Sequence, residues 1–132
     1  MGNTQVTLNS KTIVQNNLMV KTPLSMQVCI DNCTECHQTC VRTITHCLQK
    51  GGAYADAKHI QLLQDCTRIC EVSSSFMIRQ SAFHALTCEV CAKICIACAE
   101  SCDAFDSDDV MKKCAEICRK CAKSCEEMSA QH

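Results

Sequence analysis

Apolar and polar positions alternate with a helical period through most of this chain. Residues 88–102 read CEVCAKICIACAESC, in which five cysteines follow one another at intervals of 3, 4, 3 and 4. Side chains three and four positions apart share one face of a helix. The stretch therefore predicts an amphipathic helix whose inner face, normally built from Leu, Ile or Val, carries sulfur instead.

The same spacing occurs in three more segments, so that four helices are predicted at about residues 25–49, 54–79, 82–104 and 107–129. All 16 cysteines fall on their inner faces, divided 5, 2, 5 and 4 among the helices in chain order. The cysteines are Cys29, Cys33, Cys36, Cys40, Cys47, Cys66, Cys70, Cys88, Cys91, Cys95, Cys98, Cys102, Cys114, Cys118, Cys121 and Cys125.

Short connections between these segments predict an all-α fold, an antiparallel up-down-up-down four-helix bundle with a cysteine-lined core, spanning residues 25–132. The Lys50-Gly51-Gly52 run is typical of a helix C-terminus, and the acidic run at 106–109 is typical of a helix start. Residues 1–24 are predicted to form a short N-terminal tail, either a short helix or an extended segment.

Composition and charge argue against a nucleic-acid-binding, secreted or membrane-spanning protein. The chain has 132 residues, enough for one domain, and its formal net charge of -1 gives no reason to expect nucleic acid or an anionic membrane as partner. The first residues do not resemble a secretory signal, and no segment approaches the roughly 18 apolar residues of a membrane helix. We therefore expect a cytoplasmic protein with reduced thiols.

Three interpretations compete for a sulfur-lined core. Cysteine can serve as a small buried hydrophobe, but it buries less apolar area than Leu and would forgo stability. Disulfides along one helix face are poorly placed, because Cβ atoms there are about 5–6 Å apart and a disulfide needs about 3.5–4.5 Å. A soft metal fits best, since sulfurs bound to one ion lie about 4–4.5 Å apart, which the helix spacing can reach.

Charge favours Cu(I) among the soft metals. Four zinc sites of four thiolates each would place a charge of about -8 in the interior, and the inner faces carry no Lys or Arg to offset it. Cu(I) with about one thiolate per ion is neutral. The sequence thus predicts storage and buffering of several Cu(I) ions. A zinc or mixed-metal thiolate buffer, or a thiol redox or iron–sulfur protein, stays open as an alternative.

Histidine and methionine at the two ends of the bundle are further candidate ligands. In an antiparallel bundle one end collects His46, His59 and Met111 beside Cys47 and Cys102, and we expect copper to enter there. The opposite end collects Met26, Met77, His84 and Met128. The sequence shows no catalytic triad, paired-carboxylate signature or phosphate loop, and we expect no enzyme.

With these positions in place, residues 26–128 resemble the cytosolic copper storage proteins, a family of four-helix bundles filled with cysteine. The resemblance is carried by CTECHQTC, HIQLLQDCTRIC, CEVCAKICIACAESC and CAEICRKCAKSC, which begin at residues 33, 59, 88 and 114. It implies Cu(I) storage, a homo-oligomer in the form of a tetramer, and entry of copper at an end that carries histidine. It identifies no copper chaperone or efflux partner.

This chain departs from that family at five positions. Thr43, Ile60 and Met111 stand where related proteins often have further cysteines, and Phe105 and Val110 stand where they often have histidines. The resemblance therefore implies fewer ligands at the entry end than in related proteins.

Overall fold

A computed structural model describes residues 22–130, so the predicted N-terminal tail lies almost wholly outside the described residues. Four α-helices follow one another: α1 (Leu24–Lys50), α2 (Ala57–Ile78), α3 (His84–Cys102) and α4 (Asp109–Ser129). Short 3-10 turns at Gly52–Ala55 and Asp103–Phe105 lie in the connections after α1 and α3.

The turn between α1 and α2 is set by two glycines and one capping aspartate. Gly51 (φ +71°) and Gly52 (φ +59°) both lie in the left-handed region, and the Gly51 N–H donates to the carbonyl of Cys47 at 3.0 Å. The Asp56 side chain then accepts a hydrogen bond from the N–H of Lys58. Because this cap stands at residue 56, α2 begins at Ala57 rather than near residue 54, and the preceding residues form the 3-10 turn.

The start of α4 is fixed by Asp108, whose carboxylate accepts from the N–H groups of Val110 (2.9 Å) and Met111 (3.4 Å). These are two of the N–H groups that a helix leaves without an internal partner at its first turn. The acidic run predicted to begin this helix thus supplies its cap.

Each helix packs on its neighbours in sequence, and α4 closes the bundle against α1. The predicted fold class, an antiparallel four-helix bundle with a cysteine-lined core, is confirmed. Within residues 22–130, no helix combines the length and the apolar character needed to cross a bilayer.

Candidate metal centre

All sixteen cysteines line the axis of the bundle, and none exposes more than 1% of its surface. Each is a free thiol. We call this continuous column of sulfur the thiol tube. It forms because the 3–4 spacing keeps every cysteine on the inner face of its helix.

Sulfur atoms from different helices approach closely along the tube. The Sγ atoms of Cys29 and Cys125 are 3.6 Å apart, as are those of Cys66 and Cys95. Cys118 Sγ lies 3.8 Å from the Sγ of Cys36 and of Cys40. With metal–sulfur bonds of about 2.3 Å, two sulfurs can share one ion after movements of a few tenths of an ångström.

The cysteines form overlapping groups of four, in which the sulfur atoms all lie within 4.8 Å of one another. Five such groups follow one another along the bundle, and each shares two cysteines with the next. In order they are Cys33-Cys91-Cys121-Cys125, Cys70-Cys91-Cys95-Cys121, Cys36-Cys66-Cys70-Cys95, Cys36-Cys40-Cys66-Cys118 and Cys40-Cys98-Cys114-Cys118. A thiolate that belongs to two groups can bridge two metal ions, so the tube suits a multinuclear chain rather than separate sites.

The interior around the tube provides no positive charge. Within residues 22–130, no Lys or Arg is buried; the buried polar residues are Thr43, His59, Thr67, Ser73 and Ser124. Burial raises the pKa of the Cys47 thiol to about 11. Thiolates in this tube therefore need the charge of a bound cation, and a neutral pairing of one monovalent ion with about one thiolate costs least.

Three different donor atoms lie together at one end of the tube. We call this end the His59 end. Cys47 Sγ lies 3.4 Å from His59 Nε2 and 3.7 Å from Met111 Sδ, and all three residues are buried. Thiolate, imidazole and thioether are all ligands that Cu(I) accepts. The structure thus brings together three of the residues predicted for the entry end.

The imidazole of His59 is oriented by Ser101. His59 Nδ1 is 2.6 Å from Ser101 Oγ, so an Nδ1–H that donates to this hydroxyl leaves the Nε2 lone pair facing Cys47. Burial lowers the pKa of His59, which favours the neutral ring that a metal requires. Sequence reasoning missed Ser101, because a serine beside Cys102 has no distinguishing spacing.

One aromatic ring packs against His59, and a second ring stacks on the first. Phe105 lies over the His59 ring with centroids 5.1 Å apart, and Tyr54 stacks on Phe105 at 4.2 Å. The rings come from the two 3-10 turns, which the sequence did not predict. Phe105, whose side chain has no donor atom, therefore shields this end of the tube and adds no ligand.

Asp108 ties this cover to the first turn of α4. One carboxylate oxygen lies 2.8 Å from His46 Nε2 and accepts a hydrogen bond from the Tyr54 hydroxyl at 3.0 Å. The His46 contact, followed by the Tyr54 and backbone hydrogen bonds, lowers the pKa of Asp108 to about 2. Burial and the Asp108 contact raise the pKa of Tyr54. His46 thus lies beside Asp108, outside the Cys47–His59–Met111 cluster.

Replacing Asp108 with alanine is expected to lower the unfolding free energy at pH 7 by about 1 kcal/mol, because α4 loses its cap. Asp108→Asn should retain most of this stability, since asparagine also caps helices. The folded-state pKa lies below the ordinary value of 3.8, so the stabilisation by the carboxylate is complete above pH 3.8 and is lost as the pH falls towards 2.

Urea unfolding of the reduced apo protein at pH 7 and between pH 4 and 2 measures both effects. Asp108→Asn should lose stability less steeply than wild type over this acid range. Wild-type stability of Asp108→Ala at pH 7 would contradict the assignment of Asp108 as cap.

The opposite end of the bundle carries thioethers. Met26, Met77 and Met128 are buried there in the same cluster as the cysteines. His84 is half-buried, and its Nδ1 lies 2.9 Å from the Ser81 carbonyl, in the turn before α3. The methionines thus close this end with soft sulfur atoms.

Comparison with known proteins gives a consistent result. The family model described as copper storage protein matches residues 23–130. Nmul_A1745 from Nitrosospira multiformis is 42% identical over 82% of this chain and 97% of its own, with a TM-score of 0.76. No curated protein sequence matches the chain.

Two similar structures contain copper. The Cu(I)-bound copper storage protein BsCsp3 is 31% identical, over 80% of this chain and 98% of its own, with a TM-score of 0.75. A cytosolic copper storage protein from Streptomyces lividans, with five coppers, is 28% identical over 82% of this chain and 94% of its own, with a TM-score of 0.75.

Proposed function

The chain belongs to the copper storage protein family, and we propose that it stores many Cu(I) ions on the thiolates of the thiol tube. The match to the family model confirms the resemblance to the copper storage proteins. The observation that carries the proposal is the series of overlapping four-cysteine groups, in which neighbouring groups share two sulfurs. A store needs many adjacent sites of similar chemistry, and the tube provides them along its whole length.

Charge explains why copper suits this tube better than zinc. Each Cu(I) that binds replaces one thiol proton, so loading leaves the buried charge unchanged when ions and thiolates are about equal in number. Four-thiolate zinc sites would leave uncompensated negative charge among side chains that include no buried Lys or Arg in residues 22–130. The zinc alternative is therefore not favoured, and the match to the copper storage protein family disfavours the redox and iron–sulfur alternatives.

The proposed ligands are the sixteen cysteines, together with His59 and Met111 at the His59 end. Cys47, His59 and Met111 would receive the incoming ion, because two further soft or borderline donors, His59 Nε2 and Met111 Sδ, lie within 3.7 Å of the Cys47 sulfur. Met26, Met77 and Met128 would offer weaker thioether contacts at the opposite end. No residue is assigned a catalytic step.

The same relationship supports a compartment, and the exposed surface of the chain supports an assembly. The Streptomyces lividans relative is a cytosolic protein, and we propose the cytosol for this chain as well. We also propose a homo-oligomer, supported by large apolar side chains that the single chain leaves exposed along α3 and before it, namely Phe83, Leu86 and Val90.

Anaerobic titration of the reduced protein with Cu(I), in competition with a chelator, tests the stored-ion proposal. We expect tight binding of roughly one ion per thiol, up to a number near the sixteen cysteines. Protein whose thiols have been alkylated serves as the control and should bind almost none. Saturation below about four ions would overturn the proposal. Retention of Zn²⁺ against equimolar Cu(I) would favour the zinc buffer instead.

A further inference from the structure

The α2 helix interrupts the thiol tube with a hydroxyl. Its inner positions after Cys70 are Ser73 and Met77, and the Ser73 side chain is completely buried. Its Oγ has no hydrogen-bond partner among residues 22–130. A buried hydroxyl without a partner destabilises the protein that contains it, so this atom requires an explanation.

Two other buried hydroxyls, those of Thr43 and Ser124, form hydrogen bonds within their own helices, whereas the less deeply buried Thr67 Oγ1 also has no partner among residues 22–130. Thr43 Oγ1 donates to the Thr39 carbonyl at 2.8 Å, and Ser124 Oγ donates to the Cys121 carbonyl at 3.0 Å. Serine and threonine commonly form such bonds to the preceding turn. Ser73 forms none, although the helical backbone around it is regular. Its hydroxyl is therefore available to an acceptor that the metal-free protein does not present.

Three thiols lie at the same level of the bundle as Ser73. Cys70 and Cys121 are in contact. One helical turn beyond this contact, towards the end that carries Met26, Met77 and Met128, the other three helices contribute Cys29, Cys88 and Cys125. The Sγ atoms of Cys29 and Cys125 are 3.6 Å apart, and the Cys88 side chain is completely buried. We call Cys29, Ser73, Cys88 and Cys125 the Ser73 layer: three thiols and one hydroxyl, each from a different helix.

We propose that the Ser73 hydroxyl donates a hydrogen bond to a thiolate of the Ser73 layer when that layer holds Cu(I). On loading, a Cu–S bond forms as an S–H bond breaks, the proton passes to the buffer, and no electron is transferred. The sulfur changes from a weak neutral acceptor to a negatively charged one, and hydrogen bonds to charged acceptors are the stronger class. The inference rests on the proposed copper storage and assigns Ser73 as a positioning residue.

This role predicts opposite effects of one substitution on the two states of the protein. Ser73→Ala removes an unpaired hydroxyl from the apo protein, and its melting temperature should rise by about 5 °C. The same change removes the donor from the loaded layer. Cu(I) bound at the Ser73 layer should therefore be lost to a competing chelator at a chelator concentration about ten-fold lower than in wild type.

Two further variants separate this role from packing. Thr43→Val replaces an equally buried inner hydroxyl that already has a partner; it should lower the apo melting temperature and leave chelator competition unchanged. Ser73→Cys restores a polar atom of similar size that can itself bind copper, and it should hold Cu(I) at least as tightly as wild type.

The measurements are thermal unfolding of the reduced apo proteins by circular dichroism and anaerobic Cu(I) competition. An apo melting temperature that does not rise in Ser73→Ala, or copper retention equal to wild type, would overturn the role of Ser73. An equal loss of copper in Ser73→Cys would also overturn it, since a packing defect would then explain both variants. Failure of the wild-type protein to bind several Cu(I) ions would instead refute the proposed function.

Discussion

Replacing both Cys36 and Cys66 with alanine is expected to interrupt the thiol tube. Copper should then fill the half of the tube beyond the gap, away from the His59 end, more slowly. These two cysteines are shared by two consecutive groups near the middle of the tube, so the double variant breaks both groups. In the proposed route, copper enters at the His59 end and would reach the far end by exchange between neighbouring thiolates. A rise of about 1.4 kcal/mol in the barrier at the gap would slow the filling beyond the gap ten-fold.

Stopped-flow loading with a limiting Cu(I) donor measures this effect, and chelator competition at equilibrium gives the capacity. We expect a fast phase, for the groups on the His59 side of the gap, and a slow phase for the groups beyond it. The capacity should also fall by at least two ions, one for each of the two broken groups.

The double variant Cys29→Ala and Cys88→Ala is the matched control. It removes the same number of thiols, but neither residue belongs to any of the five overlapping groups named above. It should therefore lose capacity without acquiring the slow phase. Single-phase loading of the Cys36 and Cys66 variant at the control rate would show that copper does not travel along the tube.

The helices and the inner position of every cysteine could be predicted from the sequence, because intervals of 3 and 4 are a covalent property of each segment. Cys88 to Cys102 can share one helix face in any context, and the short turns then require antiparallel neighbours. The grouping of sulfurs across helices could not be predicted. The contact between Cys66 and Cys95 at 3.6 Å depends on the relative shift of α2 and α3 along their axes.

The contacts of the two histidines at the His59 end could be predicted only in part from the sequence. The sequence predicts His46 and His59 at the same end of the bundle, and both lie there, but of the two only His59 contacts a thiol. His46 precedes Cys47 by one residue, and adjacent residues point about 100° apart on a helix. Its partner Asp108 is 62 residues away, and nothing in the spacing of the chain indicates that pairing.

The aromatic cover is a second such case. Tyr54 and Phe105 stack because two 3-10 turns, each in a different connection, meet over α2. The sequence pattern extended α2 back to residue 54, where the cap at Asp56 and the two left-handed glycines instead produce a turn. Because α2 begins at Ala57 and not at residue 54, Tyr54 lies in a 3-10 turn over the tube and not in the helix.

Leu63→Ala is expected to destabilise the reduced apo protein by about 2–5 kcal/mol. Leu63 is completely buried between His59 and Cys66 on the inner face of α2, where it is the largest aliphatic side chain among thiols. A thiol buries less apolar area than a leucine, so this core gains less from the hydrophobic effect than an ordinary one. Each large side chain that remains therefore carries a greater share of the apo stability.

Urea unfolding followed by helical circular dichroism, with and without Cu(I), measures the effect, and Leu48→Ala provides the control. Leu48 is 57% exposed and lies outside the proposed oligomer surface, so its loss should change the unfolding free energy by less than about 0.5 kcal/mol. Copper binds the folded tube more tightly than the unfolded chain, and loading should restore much of the stability of Leu63→Ala. Equal apo stability of the two variants would mean that the thiols themselves hold the bundle together. An apo wild type without helical signal would mean that folding depends on copper.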